Sequence, residues 1–181
     1  MITLKSISLQ LVLTVAQLLC TIESASTQVM LCVDAGHGDF DPGKITPLDP
    51  TYNEKDINLD VVKTLRDSLL FYGWNLVNYT RLTDTFLETW DRAYEANKVY
   101  AQSFVSVHHN GFAGGLVQGS ESWWCENPFT SANTIGEFAN RARSVDDTLA
   151  RKILKRVVLA FKYHDRGHQE DSFVVLKHTF M

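Results

Sequence analysis

Cysteine is scarce in this chain: three in 181 residues, Cys20, Cys32 and Cys125. Their spacing points to no disulfide framework. Free buried thiols are the plainer reading of Cys32, inside a strand-like run, and of Cys125, behind Trp123-Trp124, although an exported chain could pair them. Long apolar runs are also lacking beyond the first 26 residues, so nothing after them is suited to cross a membrane. A basic patch is missing too. The 17 Lys and Arg are scattered among 21 Asp and Glu, for a formal net charge of −4, which argues against a nucleic-acid partner. No internal repeat, low-complexity stretch or interdomain linker breaks the sequence.

What is present begins with residues 1–26. Lys5, the apolar run from Ile7 to Cys20 and the small-residue exit Ser24-Ala25-Ser26 form the pattern of a cleaved secretory signal ending near Ser26. A membrane anchor is the alternative, but Gln10, Thr14 and Gln17 interrupt a run already short for a span. Leu18-Leu19 are too bulky for lipid attachment at Cys20. The sequence thus predicts a signal over 1–26, a secreted or periplasmic location, and one domain over 27–181. Hydrophobic residues make up 45% of the chain, enough to build a core.

Within that domain, Val29-Met-Leu-Cys-Val-Asp-Ala-Gly-His-Gly38 reads as a buried strand that ends in Asp34 and passes into a Gly-flanked histidine. Strand ends in α/β folds are where ligands bind, and flanking glycines let the backbone turn around the ring. Residues 40–52, rich in Asp, Pro, Gly and Thr, read as a loop. Asn53 then caps a helix with Glu54 and Asp56 in its first turn, and Ile57, Val61, Leu65 and Leu69 form a stripe that Gly73 stops. Further elements are predicted as a strand over 74–79, a helix over 84–102, a strand over 103–109, a glycine-rich turn over 111–115 and a strand over 120–125. Two helices over 131–142 and 147–163 and a strand over 173–177 complete the order. Strands alternating with helices predict an α/β fold: a mostly parallel, twisted sheet flanked by helices on both faces.

Two histidines that follow strands, His37 and His108, and a carboxylate opening a helix, Glu54, could meet at one sheet edge as a zinc site. Each has a plainer reading alone: a turn residue, a charge on the helix macrodipole, a hydrogen-bonded core histidine. His108 and His109 cannot both point one way from an extended strand. His164 and His168 lie four apart, but Arg166-Gly167 intervenes and no carboxylate stands in a metalloprotease position. The cluster Arg151, Lys152, Lys155 and Arg156 reads as a solvated helix face. One of Trp123 and Trp124 could stack on a sugar while the other packs inward.

Three segments taken together, Asp34-Ala-Gly-His-Gly38, Asn53-Glu-Lys-Asp-Ile-Asn-Leu59 and Ser106-Val-His-His-Asn110, resemble the zinc-dependent N-acetylmuramoyl-L-alanine amidases of peptidoglycan. Thr80-Arg81 with Asp84, Asp91-Arg92-Ala-Tyr-Glu-Ala-Asn97, and Asp165-Arg166-Gly167 leading to Phe173-Val-Val-Leu176 support the match, in the family's order. The resemblance covers residues 29–181. It implies Zn2+ held by His37, Glu54 and His108, with His109 supporting the ligands or packed beside them. It also implies hydrolysis of the amide between N-acetylmuramic acid and L-alanine, with peptidoglycan or muropeptides as partners, and leaves room for an activator protein. In the family a glutamate in a Met-Pro-x-x-Leu-x-Glu segment acts as general base. This chain reads Val174-Val-Leu-Lys-His-Thr-Phe-Met181 where that segment would begin, so the resemblance assigns no catalytic residue here, and the family's last strand and helix are expected to be absent. The rival expectation is a catalytically deficient homologue that binds peptidoglycan or a protein through the same cleft. A zinc hydrolase acting on another amide is a third.

Overall fold

The computed structural model describes residues 29–45, 51–110, 118–125 and 136–179, with the side chains of 136–146 outside the description. The expected signal segment, the glycine-rich turn and the start of the first expected C-terminal helix therefore lie outside the described residues. The expected α/β fold with parallel strands stands. Strand β1 (Leu31–Ala35) lies between β2 (Val77–Tyr79) and β3 (Ser103–Val107), and both pairings are parallel. A second, two-stranded parallel sheet joins β4 (Ser120–Trp124) to β5 (Asp165–Glu170). Helices α1 (Glu54–Phe71) and α2 (Thr89–Lys98) form the two crossovers of the first sheet; α3 (Gly136–Phe161) and the short α4 (Val174–Lys177) follow.

Alternation along β1 explains the core. Val33 and Ala35 point to one face, where they pack with Val62 of α1, flanked by Leu65, Val77 and Val107. Cys32 points to the other and meets Ala96 of α2 and Ala101. A strand covered on both sides is apolar at nearly every position, as buried central strands of parallel sheets are. Cys32 and Cys125 are both buried and unpaired, and burial pushes the Cys32 thiol up to about 12. Among the described residues, no helix is long and apolar enough to cross a membrane.

Several expected elements differ. The helix expected over 84–102 is confined to Thr89–Lys98, because Asp84 instead accepts the Asp39 N–H at 2.7 Å and pairs with Lys55 at 2.6 Å. Strand β2 keeps only three of its six expected residues, leaving Trp74 and Leu76 exposed. The two expected C-terminal helices are one, since no Pro or Gly separates them within Gly136–Phe161. The expected strand over 173–177 is the short helix α4, while the strand there is β5, Asp-Arg-Gly-His-Gln-Glu. No hydrophobic period announces β5; its pairing with β4 is reinforced by Arg166–Glu121 at 2.9 Å and Ser122–His168 at 2.7 Å.

Candidate metal centre

The register of the first sheet brings two chain exits together. Ala35 pairs with Val107, and the Gly36 N–H donates to the Val107 carbonyl at 3.1 Å. His37 and His108 therefore leave the sheet side by side at its C-terminal edge. Their rings meet edge to face, with centroids 4.9 Å apart. Glu54, first residue of α1, comes in from the neighbouring helix. One ligand atom from each of His37, Glu54 and His108 lies within 4.8 Å of the other two.

Close approach requires glycine at two positions. A Cβ on Gly36 would lie 2.2 Å from a carbon of the His108 ring, and one on Gly43 would lie 2.6 Å from the His37 ring. His37 itself adopts φ of 63°, a left-handed turn uncommon for a residue with a Cβ. Buried polar groups hold that turn in place. Arg92, 4% exposed, donates to Asp34 at 2.8 Å and to the carbonyls of Ala35 and His37 at 2.7 and 3.0 Å. Arg81, equally buried, donates to the carbonyls of Ala35, Gly36 and Lys55 at 2.8 to 2.9 Å. Asp34 is fully buried and also accepts Thr80 and Ser106 hydroxyls at 2.5 and 2.6 Å. A buried carboxylate needs such compensation.

The donor atoms are oriented in turn by neighbours. The Nδ1 of His37 bonds Asp41 Oδ2 at 2.8 Å, leaving Nε2 turned toward Glu54 Oε1 at 3.3 Å. Glu54 Oε1 also lies 3.0 Å from His108 Nδ1 and accepts the His109 N–H at 3.1 Å, while Oε2 accepts the Lys44 N–H at 2.8 Å. Burial alone would raise the Glu54 carboxyl, but the bonds from His108, His37 and the Lys44 N–H outweigh it and hold the pKa well below the usual carboxylate range. The same bond to Glu54 raises His37, helped by Asp41 and opposed by burial. Two imidazole nitrogens on one carboxylate oxygen call for a positive charge among them, which a proton or a cation supplies. A mixed N/O donor set at one sheet edge fits zinc. Glu54 is 4% exposed in its side chain against 38% for His108, so the site opens on the His108 side.

Sequence reasoning placed His109 within an extended strand. The structure ends β3 at Val107, so both histidines lie past it. His109 turns its Nδ1 to Asn58 Oδ1 at 2.8 Å, and Asn58, fully buried, donates to the Gly36 carbonyl at 3.1 Å. Asp41 and Asn58 were missed as supporting residues; Asp41, four residues past His37 in a turn, was the one with a readable signal. His168 is held between Ser122 and Asp147 Oδ1, the latter at 2.8 Å, away from the donor set. Trp123 and Trp124 both pack against this chain, on Phe173 and His168. Arg151, Lys152, Lys155 and Arg156 are exposed along α3.

A family model described as N-acetylmuramoyl-L-alanine amidase matches residues 31–181. The endolysin of Bacillus phage SPP1 is 32% identical over 152 residues, covering 84% of this chain and 51% of the phage protein. The N-acetylmuramoyl-L-alanine amidase AmiA of Escherichia coli K12 is 29% identical over 178 residues, covering 82% of this chain and 61% of AmiA. The chain thus spans about half to three fifths of the length of these curated relatives. The crystal structure of an N-acetylmuramoyl-L-alanine amidase from Clostridium difficile 630 superposes with a TM-score of 0.70 at 30% identity, covering 86% of this chain and 76% of that one.

Proposed function

This chain belongs to the N-acetylmuramoyl-L-alanine amidase family, and we propose that it hydrolyses the amide joining N-acetylmuramic acid to the L-alanine of the peptidoglycan stem peptide. The observation that carries this reading is the convergence of His37, Glu54 and His108 within 4.8 Å at the sheet edge. These three residues would hold a zinc ion. Bound there, zinc would lower the pKa of a water to about 7 and polarise the scissile carbonyl.

The chain's own residues prepare that chemistry. Asp41 fixes the Nδ1–H form of His37, so that Nε2 is the free donor atom. Asn58 ties the His109 ring to the Gly36 carbonyl, bracing the backbone between β1 and His37. Glu54 stays ionised through its hydrogen bonds. The exposed flank of His108 leaves room for water and a substrate amide. Hydrolysis yields a muramic acid carboxylate and a peptide with a free L-alanine amine, a product pair expected at a cell wall, where we place the protein after export.

The test is mass spectrometry of defined muropeptides incubated with the chain, stripped of metal or supplied with zinc. Zinc-dependent release of the L-alanine-headed peptide is the expected result. No cleavage by a folded, zinc-loaded chain would replace this reading with that of a homologue that binds peptidoglycan through the same cleft.

A further inference from the structure

The turn that carries His37 also presents an aromatic side chain that the donor set does not use. Gly38 and Asp41 exchange two backbone hydrogen bonds of 3.0 Å, closing a tight hairpin with Asp39 and Phe40 at its tip. Phe40 is 73% exposed. Its ring lies 4.2 Å, centroid to centroid, from that of Phe86, tilted by 32°. Phe86 comes from the segment before α2, so two separate loops meet to make one aromatic surface beside Asp41.

An exposed ring on a mobile tip would need no explanation. This tip is tied down from three directions. The Asp39 N–H donates to Asp84 at 2.7 Å, Lys55 Nζ donates to the Asp39 carbonyl at 2.8 Å, and Lys55 pairs with Asp84 at 2.6 Å. Gly38 runs so close to the Thr85 carbonyl that a Cβ would sit 2.1 Å from its oxygen. Ordering a large apolar side chain while leaving its face in water gains little for the fold. Such a face gains when a ligand covers it, and preorganisation lowers what binding must spend on ordering.

We propose that Phe40, backed by Phe86, is a saccharide subsite that packs against the apolar face of a neutral pyranose ring next to the candidate metal centre. This rests on the amidase reading, in which the reacting amide joins a sugar to a peptide, and it names which side of that amide lies over the hairpin. Charge decides between the two sides. On the rim Lys55 pairs with Asp84 and His37 bonds Asp41, so the net negative charge at the hairpin tip is carried by Asp39. Carboxylates on a stem peptide are repelled there, whereas an amidated N-acetylmuramoyl sugar carries no charge.

The experiment is equilibrium binding to the metal-stripped full chain, so that binding is read without cleavage. The probes are a neutral disaccharide, N-acetylglucosaminyl-N-acetylmuramoyl methylamide, and the free L-alanyl stem peptide. The disaccharide is expected to bind the wild type, to weaken about tenfold in Phe40→Ala, and to keep its affinity in Phe40→Trp. In Phe40→Trp the new indole emission should shift when the disaccharide is added. Phe86→Ala is expected to weaken binding in the same direction. Phe40→Ala should unfold at the wild-type denaturant midpoint, since its ring is largely exposed. Absence of disaccharide binding to the wild type, equal binding to Phe40→Ala, or a Phe40→Ala effect confined to the stem peptide would each overturn the proposal. Loss of muropeptide cleavage with saccharide binding intact would count against the amidase reading alone.

Discussion

Replacing Gly36 by Ala separates the fold from the candidate metal centre. Gly36 does not occupy the left-handed region, so its backbone accepts a side chain without strain. Its Cβ would nevertheless lie 2.2, 2.3 and 2.7 Å from Cε1, Nε2 and Nδ1 of His108, where ordinary contact begins at 3.4 Å. The ring must retreat by about 1 Å or more, while a working constellation tolerates displacements of about 0.5 Å. Because the His108 side chain is 38% exposed, the ring swings toward solvent at little cost to folding. The Gly36 N–H that donates to Val107 and the Gly36 carbonyl that accepts from Asn58 and Arg81 are backbone groups that alanine keeps. The unfolding free energy should therefore change by about 1 kcal/mol or less. Zinc affinity should fall at least about 100-fold, the upper end of what losing a mere supporting residue costs. Competition with a chromophoric chelator measures the affinity, and urea unfolding of the metal-stripped chain measures the stability. Wild-type zinc affinity in Gly36→Ala would refute the assignment of His108 as a ligand. A large stability loss would refute the claim that the ring moves freely.

Arg92→Met removes the buried partner of Asp34 and should cost about 3–5 kcal/mol, read as a lower urea midpoint. Asp41→Ala should weaken zinc binding about 10–100-fold while leaving the midpoint nearly unchanged, because Asp41 is partly exposed and touches the site through His37; chelator competition reads the first and urea unfolding the second. In the metal-free chain, His37 is raised above its ordinary 6.5, so its contribution to stability is complete below that pH and is lost as pH rises through the folded value. Glu54 is lowered from its ordinary 4.5, so its contribution is present above that pH and is lost only on strong acidification. Together they favour the metal-free fold most between about pH 4.5 and 6.5. Zinc needs unprotonated imidazoles, so the stabilisation it adds should grow above that window; unfolding midpoints against pH, with and without zinc, check both trends.

Much of the site was legible before any fold. Glu54 sits just after a helix-capping residue, and Asn53 receives the expected support: its N–H donates to Asp56 at 2.8 Å. The stretch Asp-Ala-Gly-His-Gly announced a strand that ends in a sharp turn. What escaped was long-range. Arg81 and Arg92 stood only as parts of supporting motifs, with no role assigned, yet both are buried, because carbonyls leaving β1 need donors that local sequence does not reveal. Helix ends were overrun for the same reason: at Asp84 a tertiary ion pair with Lys55 outweighs helix continuation, and periodicity is blind to it. β5 was hidden because its own sequence, Asp-Arg-Gly-His-Gln-Glu, carries no apolar alternation.

The sequence by itself determined the α/β class, through apolar runs and a helix cap, and, through the joint order of its motifs, the family and the three candidate donor residues. Only the tertiary structure decided that they meet, through the parallel register that sets Ala35 against Val107 and the two glycines that admit the histidine rings. It alone also decided how each donor is aimed, through Asp41, Asn58 and the buried arginines. The reason is physical. Residue type and spacing specify which groups a segment carries, whereas distances between segments far apart in the chain depend on packing and on hydrogen bonds that no single segment encodes.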